Sequence, residues 1–337
     1  MSYLNGNLNG KRVLVTGATG FIGGRLAQRL AAEEGALVTG TGRQLDKVPF
    51  VREAGVDLQR ADLQDTVVFR QLLAGQEIII HSAALLSKHR ASEDEAQQVN
   101  VAATQDLLQL ADEMGVQRFV HISSVNAYGP PQRLLVDETH PLNTTQRDTY
   151  GRSKAIGETA VWETAARLNM EVVVVRPGMV YGPRASSWTV RMVQTMQKGL
   201  PVIFGAGDGY ASPVFIDNLV DGLLLTAVSP QAPGESFNFV DPPVDWHTFF
   251  GYYGAMCGKK PRRIPLWAAK ILAFASEKMD LKLPLTRDRL KYYVQQAVFP
   301  IAKAENLLGY QPRVGIDDGM RQTEVWLRDH GFIDHKG

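Results

Sequence analysis

Residues 16–23, Thr-Gly-Ala-Thr-Gly-Phe-Ile-Gly, decide how this chain folds. They follow an apolar run, Val13-Leu14-Val15, and open a segment in which Leu26, Ala27 and Leu30 recur at helical spacing. The reading is strand, glycine turn, helix. Gly17 permits the tight turn, Gly20 lets a pyrophosphate approach the backbone, and Gly23 lets helix and strand pack closely. With Thr19, Phe21 and Ile22 they form a candidate dinucleotide-binding turn, because a helix N-terminus offers free N–H groups to phosphate oxygens.

Far downstream stands a second run, Tyr150-Gly-Arg-Ser-Lys154, which places a phenol and an ammonium at i and i+4 on one helix face. A free phenol, with a pKa of about 10, is a poor base at neutral pH. A neighbouring ammonium and an oxidised nicotinamide ring both favour the phenolate. Lys154 is expected to supply that charge and to hold ribose hydroxyls. Tyr150 would then pass a proton to or from a substrate oxygen while hydride moves at the nicotinamide. A hydroxyl that orients the substrate oxygen belongs at a strand end, where Phe119-Val120-His121-Ile122 is followed by Ser123 and Ser124. A glycine turn alone is weak; joined to Tyr-x-x-x-Lys it points to a nicotinamide-dependent enzyme.

Through the first half of the chain, strand candidates at 12–16, 37–41, 56–59, 77–81, 118–122 and 171–176 alternate with helical stretches at 20–34, 64–73, 95–114 and 149–168. Runs such as Ile78-Ile79-Ile80 and Val172-Val173-Val174-Val175 suit strands buried on both faces. The pattern predicts an α/β fold with a Rossmann-type doubly wound parallel sheet over 1–184, to which 214–241 returns. Residues 185–337 read as a smaller, mainly helical substrate domain, with helices near 188–198, 217–228, 246–257, 266–279 and 315–328 and strands at 202–204 and 236–240.

Composition narrows the function. At 337 residues, 45% hydrophobic and 21% charged, with net charge +1, the chain has no global field to steer it to nucleic acid. One cysteine, Cys257, excludes an internal disulfide and a multi-cysteine metal site. The histidines are scattered, so no metal is expected, and His81 reads as a packed or hydrogen-bonded residue. The polar amino end lacks a signal-peptide core, which makes a cytoplasmic location the expectation. No run is long enough to span a membrane; the nearest, 264–275, is interrupted by Lys270. Its apolar residues Leu266, Trp267, Ile271, Leu272, Phe274 and Ala275 read as core packing, or else as a lid or peripheral membrane contact.

The order TGATGFIG, Asp62-Leu63, HSAAL (81–85), Asn100, SSVNAYG (123–129), YGRSK and RPGMVYGP (176–183) resembles the extended short-chain dehydrogenases/reductases, the superfamily of NAD-dependent epimerases and dehydratases. In that family the catalytic Ser or Thr stands four residues before the tyrosine of a Tyr-Gly pair, so Tyr128-Gly129 selects Ser124. The resemblance implies Asp62 and Leu63 near the adenine, and Ser82, Ala83 and Ala84 near the ribose and phosphates. It also puts Asn100 beneath the nicotinamide half, Ser123 in the cofactor pocket, and Pro177, Gly178 and Val180 along the carboxamide. A homodimer is implied too, through helices near 95–114 and 149–168.

NAD-preferring members end the second strand with an acid. Here Gly42-Arg43 follows that strand, and a guanidinium can bind a 2′-phosphate, so NADP is expected over NAD, with Lys47 as a second contact. Sugar-nucleotide enzymes carry an asparagine where this chain has Met179 and an arginine where it has Ala211. A diphosphate without cationic partners binds poorly, unless Arg184 or Arg262 replaces them. The remainder resembles the 3β-hydroxysteroid dehydrogenase-like branch in Ser236-Phe237-Asn238-Phe239-Val240, Trp246-His247-Thr248-Phe249, 259–267 and 306–312. The expected substrate is therefore a small hydrophobic or alicyclic hydroxy or keto compound of steroid-, flavonol- or 3-oxoacyl-like type. The rivals are an epimerase or dehydratase that holds its cofactor tightly, and a cofactor-binding sensor without turnover.

Overall fold

The apolar runs 13–15, 78–80, 119–122 and 172–175 become central strands here because helices cover both faces of the sheet at them. The computed structural model describes residues 7–85, 95, 97–130, 133–278 and 285–334. The strands are β1 (Arg12–Thr16), β2 (Leu37–Gly42), β3 (Asp57–Arg60), β4 (Ile78–His81), β5 (Arg118–Ile122), β6 (Glu171–Pro177), β7 (Met179–Tyr181), β8 (Pro201–Phe204), β9 (Tyr210–Ala211), β10 (Pro213–Phe215), β11 (Ser236–Phe239), β12 (Val244–Asp245) and β13 (Arg262–Ile264). Seven form one sheet in the order β11-β6-β5-β4-β1-β2-β3, every pairing parallel. The order reverses between β1 and β4, and ligands of such sheets sit beyond the strand ends at that point.

Alternation within each strand divides the core. Val13, Val15, Ile78, Ile80, Val120, Val173 and Val175 face one layer, which includes Leu26 and Leu30 of the helix Phe21–Ala32 and Leu219 and Leu223 of the helix Ile216–Val228. Leu14, Ile79, Phe119, Val172 and Val174 face the other, with Leu107 and Leu108 of the helix Ala103–Glu113 and Val161 of the helix Thr149–Ala165. Fully burying one such side chain stabilises the fold by about 1.5–3 kcal/mol.

The later part is built from helices and three small strand pairs: β7 with β10, β9 with β12, and β8 with β13. The basic stretch at 259–263 is thus partly a strand, since Arg262–Ile264 runs parallel to β8. The helices Arg287–Val294 and Ala302–Leu308 are further additions to the sequence reading. Buried carboxylates tie this part to the sheet. Asp241, pushed up to about 7 by burial, accepts the Phe215 N–H at 2.7 Å and the Asn218 amide at 2.8 Å. Asp221 accepts from Arg29 at 3.0 Å and from Arg313 Nε at 2.6 Å, joining the first helix, the Ile216–Val228 helix and the carboxyl-terminal segment.

Candidate active site

The glycine turn leaves β1 at the carboxyl edge of the sheet. Gly17 has φ +72°, and a Cβ there would lie 2.8 Å from the Ala83 nitrogen. A Cβ on Gly23 would overlap the Gly17 carbonyl, so helix and turn touch only because Gly23 lacks a side chain. Gly20 is the N-cap of Phe21–Ala32, no side chain caps it, and the first turn holds no acid. That helix end is open to an anion.

Thr16, His81 and Thr104 form a buried relay beside the turn. Thr16 Oγ1 lies 2.8 Å from His81 Nδ1, His81 Nε2 lies 3.2 Å from Thr104 Oγ1, and the Ala83 N–H donates to Thr16 Oγ1 at 3.2 Å. This fixes Ser82, Ala83 and Ala84, all half-buried, against the end of β1. His81 is a hydrogen-bonded core residue: burial first, and the Lys154 ammonium second, lower its pKa to about 3, so it is neutral. His121 stacks on it at 5.6 Å and is also held neutral by burial. Asn100 spends its amide on Leu85, accepting the Leu85 N–H at 2.7 Å and donating to its carbonyl at 3.0 Å.

Ser124, Tyr150 and Lys154 converge at the end of β5. Asp148 caps the Thr149–Ala165 helix by accepting the Gly151 N–H at 2.8 Å, which sets the helix start and the phase of Tyr150 and Lys154. Ser124 accepts the Asn126 N–H at 3.2 Å and is hydrogen-bonded to the Tyr150 phenol. Lys154 is buried, and its Nζ donates to the Ile122 carbonyl at 2.8 Å. Burial lowers its pKa to about 8, against which the Glu158 carboxylate acts.

Within the protein's own groups burial pushes the Tyr150 phenol up, the Ser124 hydrogen bond opposes, and the Asp148 carboxylate adds to the rise. The Lys154 ammonium is not among the groups that shift the phenol; its Nζ is turned to the Ile122 carbonyl.

Beside this trio the Ser123 Oγ is buried with no hydrogen-bond partner among the described residues, while its N–H donates to Val175 at 2.7 Å. An orphaned hydroxyl, a glycine cradle and an uncapped helix end at one sheet edge fit a dinucleotide. Farther along, the Thr19 side chain fills the space that any Cβ on Gly42 would need. Arg43 is therefore the first side chain beyond β2; it is exposed and makes no hydrogen bond or ion pair among the described residues. Lys47 is exposed in the short turn Leu45–Lys47. Asp62 is exposed and accepts the Gln64 N–H at 3.2 Å, Leu63 is half-buried, and Ala61 N–H donates to Gly42 at 3.3 Å. Pro177 ends β6, and Gly178 and Val180 follow half-buried, with the Gly178 N–H donating to Phe239 at 3.0 Å.

At the two positions where the sequence departs from the sugar-nucleotide pattern, Met179 is half-buried and Ala211 fully buried. Of the arginines that could replace the missing cation, Arg184 stacks at 3.6 Å over Phe50, and Arg262 is exposed on β13.

Sequence reading missed the network behind Lys154. Glu158, fully buried one turn on, pairs with Arg176, whose Nε lies 2.9 and 3.1 Å from the two carboxylate oxygens. Arg176 donates to the Tyr128 hydroxyl at 2.6 Å, and Tyr128 donates to Asn238 at 2.9 Å. The signal was present: a guanidinium directly after four buried valines needs a buried anion.

A seven-stranded parallel sheet with a glycine turn at its switch point, and a Tyr-x-x-x-Lys helix against the next strands, defines an oxidoreductase of the short-chain type. The chain belongs to the NAD dependent epimerase/dehydratase family, whose model matches residues 13–239. It is 28% identical to a UDP-glucose 4-epimerase of Vibrio cholerae, over 93% of this chain and 94% of that one. It is equally 28% identical to a 3 beta-hydroxysteroid dehydrogenase/Delta 5-->4-isomerase of Mycobacterium tuberculosis, over 89% and 86%. A UDP-glucuronic acid 4-epimerase from Bacillus cereus, solved with UDP-glucuronic acid and NAD, shares the fold with a TM-score of 0.76 at 23% identity, covering 95% of this chain and 99% of that one.

Proposed function

We propose that this enzyme is NADP-dependent and interconverts a ketone and a secondary alcohol on a hydrophobic, alicyclic or steroid-like molecule. The observation that carries this reading is the Ser124–Tyr150 hydrogen bond beside buried Lys154, at the sheet edge where the glycine turn opens. Ser124 holds the substrate oxygen, Tyr150 gives it or takes from it a proton, and Lys154 anchors ribose hydroxyls. Gly17, Gly20 and the N–H groups that follow hold the pyrophosphate, with Ser82–Ala84, Asn100, Ser123 and 177–180 lining the rest. When bound, the dinucleotide supplies or accepts the hydride.

Arg43 supports the cofactor choice, since it stands where NAD-selective sheets place an acid and has no hydrogen bond or ion pair among the described residues. NADP(H) is expected to bind at least tenfold tighter than NAD(H), about 1.4 kcal/mol. Arg43→Ala should remove most of that preference and leave NAD affinity nearly unchanged. Calorimetric titration checks this; equal affinities in the wild type would refute it.

Substrate polarity follows from Met179 and Ala211, which offer no charge-assisted partner to a diphosphate. The sequence likeness to a steroid dehydrogenase agrees with that, while the likeness to UDP-sugar epimerases favours the rival. Thermal-shift assays separate them. Alicyclic ketones should stabilise the NADP-loaded protein and UDP-glucose should not; the reverse pattern would make the enzyme a sugar-nucleotide epimerase.

A further inference from the structure

The helix Leu266–Lys278 is amphipathic in the opposite sense to a core helix. Its buried positions are Ala269, Ala273 and Ser276, three small residues at i, i+4 and i+7. On the opposite face Trp267, Ile271 and Phe274, at the same spacing, are 68%, 59% and 51% exposed, with Leu272 on the flank at 45%. A helix that only closed a core would turn its large apolar side chains inward. Here they point outward, which marks a face made for a second apolar phase.

Charge identifies that phase. Residues 259–278 carry six cations, Lys259, Lys260, Arg262, Arg263, Lys270 and Lys278, against one carboxylate, Glu277, in a chain whose net charge is only +1. Glu277 is already engaged by Arg287 Nε at 2.6 Å, and the Arg287 guanidinium lies 5.7 Å from the Phe274 ring, adding a further cation to the patch. A second copy docking face to face about a two-fold axis would bring these like charges together, which opposes association. An anionic lipid surface complements them. The helix has 13 residues, about 20 Å long, short of the roughly 30 Å hydrocarbon layer, so it lies in the interface and does not span it.

We infer that the Trp267–Ile271–Phe274 face, with its cationic flank, docks the enzyme on an anionic bilayer surface. This stands apart from the choice of substrate. The test is co-sedimentation of the full-length, NADP-loaded protein with phosphatidylcholine vesicles, with and without phosphatidylglycerol. The protein should sediment with the phosphatidylglycerol vesicles, and less so as salt rises. The triple variant Trp267→Ser, Ile271→Ser, Phe274→Ser should lose at least about tenfold in partitioning at an unchanged melting temperature, and Lys260→Glu with Lys270→Glu should lose a similar factor. No sedimentation of the wild type, or sedimentation that the triple variant retains, would overturn the inference. So would a wild-type dimer, seen by light scattering, that the triple variant turns into a monomer, because the face would then belong to a second copy.

Discussion

Tyr150→Phe should lower turnover by roughly 10²–10⁴-fold, about 3–5 kcal/mol of transition-state stabilisation, while NADP(H) affinity stays within about twofold. Only the phenolic oxygen is lost, and the ring remains to pack. Stopped-flow rates and cofactor titration on the same preparation check both halves. The structure adds a directional element. Burial keeps the phenol protonated, and Ser124 alone among its partners pulls the other way. In the proposed reaction that proton goes to a carbonyl oxygen, and carbonyl reduction should lose activity only on a basic limb. Lys154→Ala should damage turnover and cofactor affinity together. A Tyr150→Phe enzyme that kept more than a few per cent of the rate would require another acid.

Glu158→Gln should destabilise the fold by about 3–5 kcal/mol, because it leaves the Arg176 guanidinium buried without an anion. At about 2 °C per kcal/mol, the apparent melting temperature would fall by roughly 6–10 °C. A buried pair gives little net stability against an apolar replacement, so the double variant Glu158→Met, Arg176→Met should recover much of the loss. The recovery will be partial, since Arg176 also bonds Tyr128 and the Ser236 hydroxyl at 3.2 Å. Glu158 favours the charged form of Lys154, so Glu158→Gln should also push the Lys154 pKa further down and weaken cofactor binding above neutral pH. Scanning calorimetry of the single and double variants decides it: a neutral single variant would show that Arg176 finds its charge compensation elsewhere.

What could be read from the sequence follows from how local each signal is. The glycine turn, the apolar runs at Ile78–Ile80 and Val172–Val175 and the i, i+4 pair Tyr150 and Lys154 are contiguous patterns, and their strands and helices stand within three residues of the expected bounds. Asn238 and Arg176 are neighbours across β11 and β6, yet 62 positions separate them in the chain, so only the folded sheet shows their network. The paired strands of the later part have two to four residues each, too short for a period of two to show. Arg262-Arg263 therefore reads as a charge run although it lies in β13. Where the Lys154 ammonium points was illegible for another reason. Sequence puts an ammonium one turn away, but which acceptor that ammonium chooses, the Ile122 carbonyl, depends on β5 ending beneath the helix.

The decisive measurement follows NADPH absorbance during turnover of an alicyclic ketone by the wild type and by Tyr150→Phe. Net redox chemistry through Tyr150 predicts one NADPH oxidised per carbonyl reduced in the wild type, and a rate in the variant lower by at least about a hundredfold. Conversion of UDP-glucose with no net change in dinucleotide absorbance, together with no reaction of apolar ketones, would contradict it.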